Sequence, residues 1–195
     1  DFPALDQRTR VARLSAALLL DRRDDPVNAT RGTFTSVAVE QLANWMGADL
    51  GYARLLAQQL AFVRVGPAIL ATRAVTGYVL GDDLLDNLLF RDRFFAGGGT
   101  TVRGYAENGL GPRDIFGAAR GGSQMLIANA ELRFPLYRWV SGVGFLDAGS
   151  AFDEQSPFSW GDLKVGYGAG LRISSPIGLL RLDFGMPGST LPATS

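Results

Sequence analysis

The stretch LKVGYGAGLRI, residues 163–173, alternates between two kinds of side chain. One parity carries Leu163, Val165, Tyr167, Ala169, Leu171 and Ile173, and the other carries Lys164, Gly166, Gly168, Gly170 and Arg172. A period of two places successive side chains on opposite faces of a β-strand. The stretch therefore predicts a strand with one apolar face and one face that is small or charged.

Similar alternation recurs along the chain. It is clear at residues 126–134 and 180–184, and less clean at 11–20, 33–43, 52–65, 69–80 and 140–152. Together these segments predict an all-β fold of about eight antiparallel strands of roughly ten residues each, which is longer than the usual globular strand. Strands of about this length cross a bilayer at a tilt, so the pattern favours a transmembrane β-barrel.

The connections between the predicted strands alternate in length. Short turns fall at residues 65–67, 135–138 and 174–178, longer loops fall at 44–51, 81–122 and 153–161, and the segment 21–32 is a longer exception on the short side. Short turns on one side and long loops on the other are typical of outer-membrane barrels. Aromatic residues near the strand ends suit interfacial girdles: Trp45, Tyr52, Tyr78, Phe134, Tyr137, Trp139 and Phe152. The alternative is a soluble β-sandwich whose apolar face is its core.

Composition excludes several classes of function. The 195 residues carry 19 basic and 19 acidic side chains without a basic stripe, so nucleic acid is not an expected partner. The chain has no Cys and no His, which removes thiolate metal sites, the commonest metal ligand and the commonest general base. We therefore expect no metal and no cofactor. The N-terminal DFPALDQRTR lacks the layout of a signal peptide. Either a signal was removed or the chain is an internal piece of a longer protein, and we favour the second.

The loop at residues 81–122 carries the run RFFAGGGTTVRGY, residues 93–105. A connection of roughly 40 residues is usually functional or disordered. The aromatic residues Phe90, Phe94, Phe95 and Tyr105 argue against disorder. We therefore expect an ordered loop that carries the activity.

Arg103 within that run needs either water or a fixed anion. Glu131 and Asp147 lie on the polar parity of the next two strands, so both face the lumen if the apolar parity faces lipid. A loop folded into the lumen then brings Arg103 against both carboxylates, where a guanidinium binds more specifically than an ammonium. The loop glycines allow close backbone approach and positive φ: Gly97, Gly98, Gly99 and Gly104. The alternative is an exposed Arg103 and two ordinary lumenal charges.

Several motifs in order resemble the BamA/TamA superfamily. They are RFFAGGGTTVRGY, GLGPRD at 109–114, NAELRFPL at 129–136, GVGFLDAGSAF at 142–152 and VGYGAGLRISSPIGLLRLDFGMP at 165–187. The upstream RRDDPVNATRG resembles the family's Arg-Asp segment, with Ala29 where Pro is usual. The RFFAGG form and GLGPRD are somewhat closer to TamA than to BamA. The resemblance covers nearly the whole chain.

The resemblance implies the C-terminal half of an outer-membrane barrel of about 16 strands, spanning residues 1–195. It implies that Val102, Arg103, Gly104 and Tyr105 form the lumenal tip of the long extracellular loop, which latches onto Glu131 and Asp147. It also implies a bacterial outer-membrane protein that inserts client outer-membrane proteins. Its partners are then the lipid bilayer, the clients, the rest of its own barrel and periplasmic POTRA modules, which this chain does not contain.

Two departures from the family pattern accompany the resemblance. The first is that the family's POTRA modules and about half of its strands precede the part that this chain matches, and the second is at the C-terminal end. The strand at residues 179–184 matches the family's penultimate strand, and residues 189–195 read as a polar tail, so the strand that closes the barrel is expected to be missing. An eight-stranded barrel is filled by side chains and leaves no room for a loop of roughly 40 residues. We therefore expect a partial barrel.

Other functions compete with membrane-protein insertion. A two-partner-secretion pore shares a VRGY-like loop, which there plugs or gates the lumen. An enzyme is disfavoured because an adjacent Arg103 keeps Glu131 and Asp147 ionised, leaving no general acid. The adjacent acids Asp24–Asp25 and Asp82–Asp83 lack the ligand spacing of a calcium loop and are expected to be solvated turns.

Overall fold

The computed structural model describes residues 10–42, 47–81, 88–175 and 178–190. Within them the chain forms one antiparallel sheet whose eight strands follow sequence order. The strands are β1 (Arg13–Asp21), β2 (Gly32–Leu42), β3 (Tyr52–Val65), β4 (Ala68–Leu80), β5 (Gln124–Tyr137), β6 (Val140–Phe152), β7 (Lys164–Ser175) and β8 (Gly178–Thr190). The prediction of about eight long antiparallel strands is confirmed.

The last strand differs from its prediction. The alternation ended at residue 184, but β8 continues to Thr190 and includes the start of the expected polar tail. Backbone pairing with β7 holds this extension, since Gly166 pairs with Pro187 and Lys164 with Thr190 across an irregular step. Backbone hydrogen bonds between strands do not require alternating side chains, so the sequence pattern underestimated the length of the strand.

The two faces of the sheet differ in charge. Strand parity and register place every charged side chain of the eight strands on one face, the inner face: Arg13, Asp21, Glu40, Arg54, Arg64, Arg73, Glu131, Arg133, Asp147, Lys164, Arg172, Arg181 and Asp183. The opposite face exposes large apolar side chains such as Leu132 and Leu146. An uncharged outer face over this length suits contact with lipid.

The sheet is open. In the described part of the chain, pairing runs from β1 to β8 and no ladder joins these two edge strands. Edge strands carry unpaired backbone donors and acceptors. Among the same residues, no helix has the length and hydropathy that crossing a membrane demands.

The long loop between β4 and β5 supplies a core for the inner face. Loop residues Phe94 and Leu88 pack with strand residues Leu42, Tyr52 and Val79 in one buried cluster. A second buried cluster joins loop and strand residues, namely Val75, Ala96, Val102, Leu110, Ile127 and Ala151. Backbone bridges tie Phe94 to Gly122 and Ala96 to Leu110 within the loop. The described part of the loop is therefore ordered against the sheet, as the sequence predicted.

The aromatic girdle is only partly as predicted. Tyr78, Phe134, Tyr137 and Trp139 are exposed at strand ends, as a girdle requires. Tyr52 and Phe152 are buried instead, so for these two the prediction was wrong. Tyr52 lies on the inner face and is covered by the long loop, and the Phe152 ring packs edge-on against Phe158 of the next loop. Trp45 lies outside the described residues.

Candidate functional site

Arg103 at the tip of the long loop binds Asp147 of β6. Its Nε donates to Asp147 Oδ2 at 2.7 Å, its Nη2 donates to Oδ1 at 2.8 Å, and its backbone N–H donates to Oδ2 at 3.1 Å. The side chain of Asp147 is fully buried, and that of Arg103 is 7% exposed. This is the bidentate geometry in which guanidinium and carboxylate interact most strongly.

The remaining guanidinium nitrogen of Arg103 reaches two more carboxylates. Nη1 donates to Glu131 Oε1 at 2.7 Å and to Asp183 Oδ2 at 3.1 Å. The guanidinium also lies 3.6 Å from the centroid of the Phe145 ring. The structure therefore brings Arg103 together with both predicted acids and adds a third acid and an aromatic surface.

Other arginines share two of these carboxylates. Arg172 donates to Glu131 at 3.0 Å and also binds Asp183. Arg133 binds Glu131 at 3.0 Å, and Arg181 binds Asp183 at 3.0 Å. Asp147, by contrast, has Arg103 as its one ion-pair partner within the described residues. The latch cluster, defined here as Arg103, Glu131, Asp147, Arg172 and Asp183, is thus a network in which Asp147 depends on the loop.

The neighbours of Arg103 fix the loop tip by different means. Val102 is fully buried in the apolar cluster on the inner face. The Tyr105 hydroxyl lies 3.0 Å from the carbonyl of Val165 on β7 and 3.2 Å from that of Gly188 on β8. A hydroxyl has one proton, so it donates to one carbonyl at a time. Tyr105 therefore bridges β7 and β8 where their pairing is irregular.

Glycines let the tip approach the sheet. Gly104 has a φ of 92°, and a Cβ there would lie 2.5 Å from backbone atoms of Met186. A Cβ on Gly166 of β7 would lie 1.9 Å from the carbonyl oxygen of Arg103. Backbone atoms cannot rotate away as a side chain does, so neither position tolerates a larger residue.

The other loop glycines behave differently from one another. Gly97 and Gly98 have φ values of 100° and 98°, in the region that glycine favours. Gly99 has no positive φ, and no atom of the described residues lies within 4 Å of a Cβ built there, so the expectation for this position was wrong. Gly99 instead lines a lumenal cavity of about 330 Å³ beside the latch cluster.

Sequence reasoning missed several residues of the site. Arg172 and Asp183 lie on the charged parity of their strands, which was visible in the alternation, but parity does not say which acid a given arginine meets. Asn129 donates from Nδ2 to Asp147 Oδ1 at 2.8 Å and to the Thr101 carbonyl at 2.7 Å. The pairing of Asn129 with Asp147 across β5 and β6 sets this contact.

The chemistry of the cluster is electrostatic. Burial alone lowers the pKa of Arg103, but hydrogen bonds and charge from Asp147 and Glu131 outweigh it and raise the pKa above its ordinary value. Arg103 is therefore cationic over the working range of pH. Among the described residues, no group of three or more Asp, Glu, His or Cys side chains is placed to hold a metal ion. Asp82 and Asp83 lie outside those residues.

The chain is similar in sequence to several known proteins. The family model described as "Omp85 superfamily domain" matches residues 5–192. The outer membrane protein assembly factor BamA of Nitratidesulfovibrio vulgaris is 31% identical over 177 residues, which cover 86% of this chain and 22% of that protein. Outer envelope protein 39 of Arabidopsis thaliana chloroplasts is 34% identical over 131 residues, covering 63% of this chain and 32% of that protein.

A solved structure shares the fold. The crystal structure of BamA from Haemophilus ducreyi lacking POTRA domains 1–3 superposes with a TM-score of 0.80 at 19% identity, covering 92% of this chain and 39% of that one. The chain spans between about a fifth and a third of the length of the two curated relatives. The family match over nearly the whole length, the open sheet with one uncharged face and the loop within it lead to one conclusion: the chain belongs to the Omp85 superfamily.

Proposed function

We propose that this chain is the C-terminal half of a bacterial outer-membrane barrel that folds and inserts client outer-membrane proteins or autotransporters. The observation that carries the proposal is the docking of the long loop through Arg103 onto β5, β6 and β8. The family match and the similarity to BamA support it. The remaining strands of the barrel and periplasmic POTRA modules are its partners in this proposal.

The proposed mechanism involves no chemical reaction. Unpaired backbone groups at an open seam of the barrel accept the edge strand of a client by β-augmentation. A thinned bilayer beside the seam lowers the cost of inserting that strand. The loop braces the wall: Arg103, Val102, Gly104 and Tyr105 hold β5 to β8 in one curvature while the seam opens elsewhere.

The latch role of Arg103 and Asp147 is the part of this proposal that the contacts support most directly. The hypothesis that the two carboxylates form an enzyme active site has less support, because both Glu131 and Asp147 accept hydrogen bonds from Arg103. A general acid must donate a proton to a substrate, whereas these two carboxylates are engaged as acceptors of the Arg103 guanidinium.

A charge exchange in the intact protein tests the proposal. Arg103→Asp places a carboxylate against Asp147, and Asp147→Arg places two guanidiniums together, so we expect each single variant to lower the levels of folded outer-membrane proteins in cells that depend on this protein. The double variant restores one opposite-charge pair and is expected to recover a substantial part of the loss. Heat-modifiable gel mobility reports whether the barrel itself has folded.

Two outcomes would count against the proposal. If Arg103→Asp leaves both the barrel and the client levels unchanged, the loop is not a brace. If the variants fold and client levels stay normal while single-channel conductance rises, the loop gates a lumen, and a two-partner-secretion type of polypeptide pore becomes the better description.

A further inference from the structure

A second charged cluster lies at the base of the long loop, at the other end of the sheet from the latch cluster. Asp92 ends the short turn Phe90–Asp92, and the residue is 4% exposed. Its Oδ2 accepts a hydrogen bond from Arg13 Nη2 of β1 at 2.6 Å and one from the Tyr52 hydroxyl of β3 at 2.5 Å. Burial alone raises the pKa of Asp92, but these two donors outweigh it and the pKa lies below its ordinary value.

Arg54 of β3 encloses the same turn. Its Nε donates to the Asp92 backbone carbonyl at 3.1 Å, and its guanidinium lies 4.5 Å from the centroid of the Phe94 ring. Glu40 of β2 binds Arg13 at 2.8 Å and Arg54 at 3.4 Å. The loop base is therefore bound directly by β1 and β3, and Glu40 of β2 links the two arginines.

The loop contributes opposite charges to its contacts with the sheet at its base and at its tip. At the base the loop supplies the anion, Asp92, and the sheet supplies cations. At the tip the loop supplies the cation, Arg103, and the sheet supplies anions on β5, β6 and β8. Between these two points, Phe94 and Ala96 form backbone bridges with Gly122 and Leu110 on the returning part of the loop.

We propose that Asp92 is a second anchor of the loop, a positioning residue that fixes the loop base on β1–β3 and thereby sets where Arg103 meets the far strands. Both anchors are buried, so neither is a surface ion pair of negligible strength. A bridged segment between two fixed points has little freedom to move one end without the other. Release of Asp92 therefore weakens the docking of Arg103, although the two residues share no hydrogen-bond or ion-pair partner among the described residues.

The test measures loop docking in the intact protein embedded in a bilayer. This chain has no native Cys, so Val102→Cys provides its one thiol, which is buried when the tip is docked. Any Cys elsewhere in the intact protein is first replaced by Ser. In this background Asp92→Asn keeps the size of the side chain and removes its charge. We expect maleimide labelling of the thiol to become at least tenfold faster while heat-modifiable mobility shows a folded barrel. Glu107→Gln removes an exposed carboxylate from the same loop and is the matched control, with labelling unchanged.

Non-additivity separates positioning from a general loss of stability. If Asp92 acts through Arg103, then Asp92→Asn combined with Arg103→Met labels no faster than Arg103→Met alone. If Asp92→Asn prevents folding, Tyr52→Phe takes its place, because it removes one hydrogen-bond donor to Asp92. We expect Tyr52→Phe to make labelling faster as well. The proposal is overturned if folded Asp92→Asn, or Tyr52→Phe in its place, labels at the parent rate, or if the effects of Asp92→Asn and Arg103→Met simply add. Because the readout is loop docking, it stands or falls separately from client insertion.

Discussion

Replacing Arg103 by Met should leave Asp147, and not the other two acids, as the source of instability. Met keeps much of the length of the side chain and its packing on Phe145 but removes the charge. Glu131 retains Arg172 and Arg133, and Asp183 retains Arg172 and Arg181. Asp147 loses its one ion-pair partner within the described residues and keeps the backbone N–H of residue 103 and Asn129 Nδ2.

The size of the effect follows from that burial. The Asp147 side chain is 0% exposed, so its charge is left without compensation in a place that water does not reach. Removing one partner of a buried ion pair costs about 3–5 kcal/mol. At about 1.4 kcal/mol for each factor of ten, the undocked fraction of the loop should rise between roughly a hundredfold and several thousandfold.

Labelling of Val102→Cys measures this fraction, because the side chain at this position is fully buried when the tip is docked. We expect Arg103→Met to speed labelling by at least about two orders of magnitude, which corresponds to the lower end of the free-energy cost given above. Labelling of Ile115→Cys, at a position that is 92% exposed in the same loop, should not change.

The decisive step is rescue. Adding Asp147→Asn to Arg103→Met removes the uncompensated charge and should return labelling to within about tenfold of the parent, since a neutral buried group costs far less than an unpaired ion. Adding Glu131→Gln should not rescue, because Glu131 still has cationic partners. If Glu131→Gln rescues as well as Asp147→Asn, or if neither does, the assignment of the cost to Asp147 is wrong.

Two further outcomes are expected from the geometry. Gly166→Ala puts a methyl group 1.9 Å from the Arg103 carbonyl oxygen and should undock the tip, measured by faster Val102→Cys labelling, whereas Gly144→Ala, with open space around its Cβ, should have no effect; equal behaviour of the two would argue against the close approach. In the turn between β1 and β2, the Thr30 hydroxyl and the backbone N–H groups of Thr30 and Arg31 hold the pKa of Asp24 well below its usual range. The stabilisation of the turn by ionised Asp24 is therefore fully present above about pH 4, the pKa of Asp24 in the unfolded chain. It is lost as the pH falls through the lowered pKa of Asp24 in the folded protein. Amide exchange of Thr30 and Arg31 should accelerate in acid and in Asp24→Asn at neutral pH, and exchange that is independent of pH after correction for intrinsic rates would refute this.

Much of the wall was determined by the sequence alone. The period of two assigned β5, β6 and β7 to strands, and it placed Glu131, Asp147 and Arg172 on the inner face, because successive side chains of a strand must point to opposite sides. The length and aromatic content of the loop indicated an ordered element. Arg103 on a glycine-rich segment needed either water or a fixed anion, and parity offered Glu131 and Asp147 as candidate anions.

Only the tertiary structure decided which charges meet. Parity fixes the face of each side chain but not its level along the barrel, and the level depends on how neighbouring strands register. The pairing of Gly170 with Asp183 brings the Asp183 carboxylate under Arg103. The local sequence around either residue does not predict this contact. Likewise Arg13 and Asp92 are separated by 79 residues and meet because the loop folds back over β1. Such contacts depend on long-range packing, because a charged side chain pairs with the opposite charges that the folded sheet places within hydrogen-bond distance.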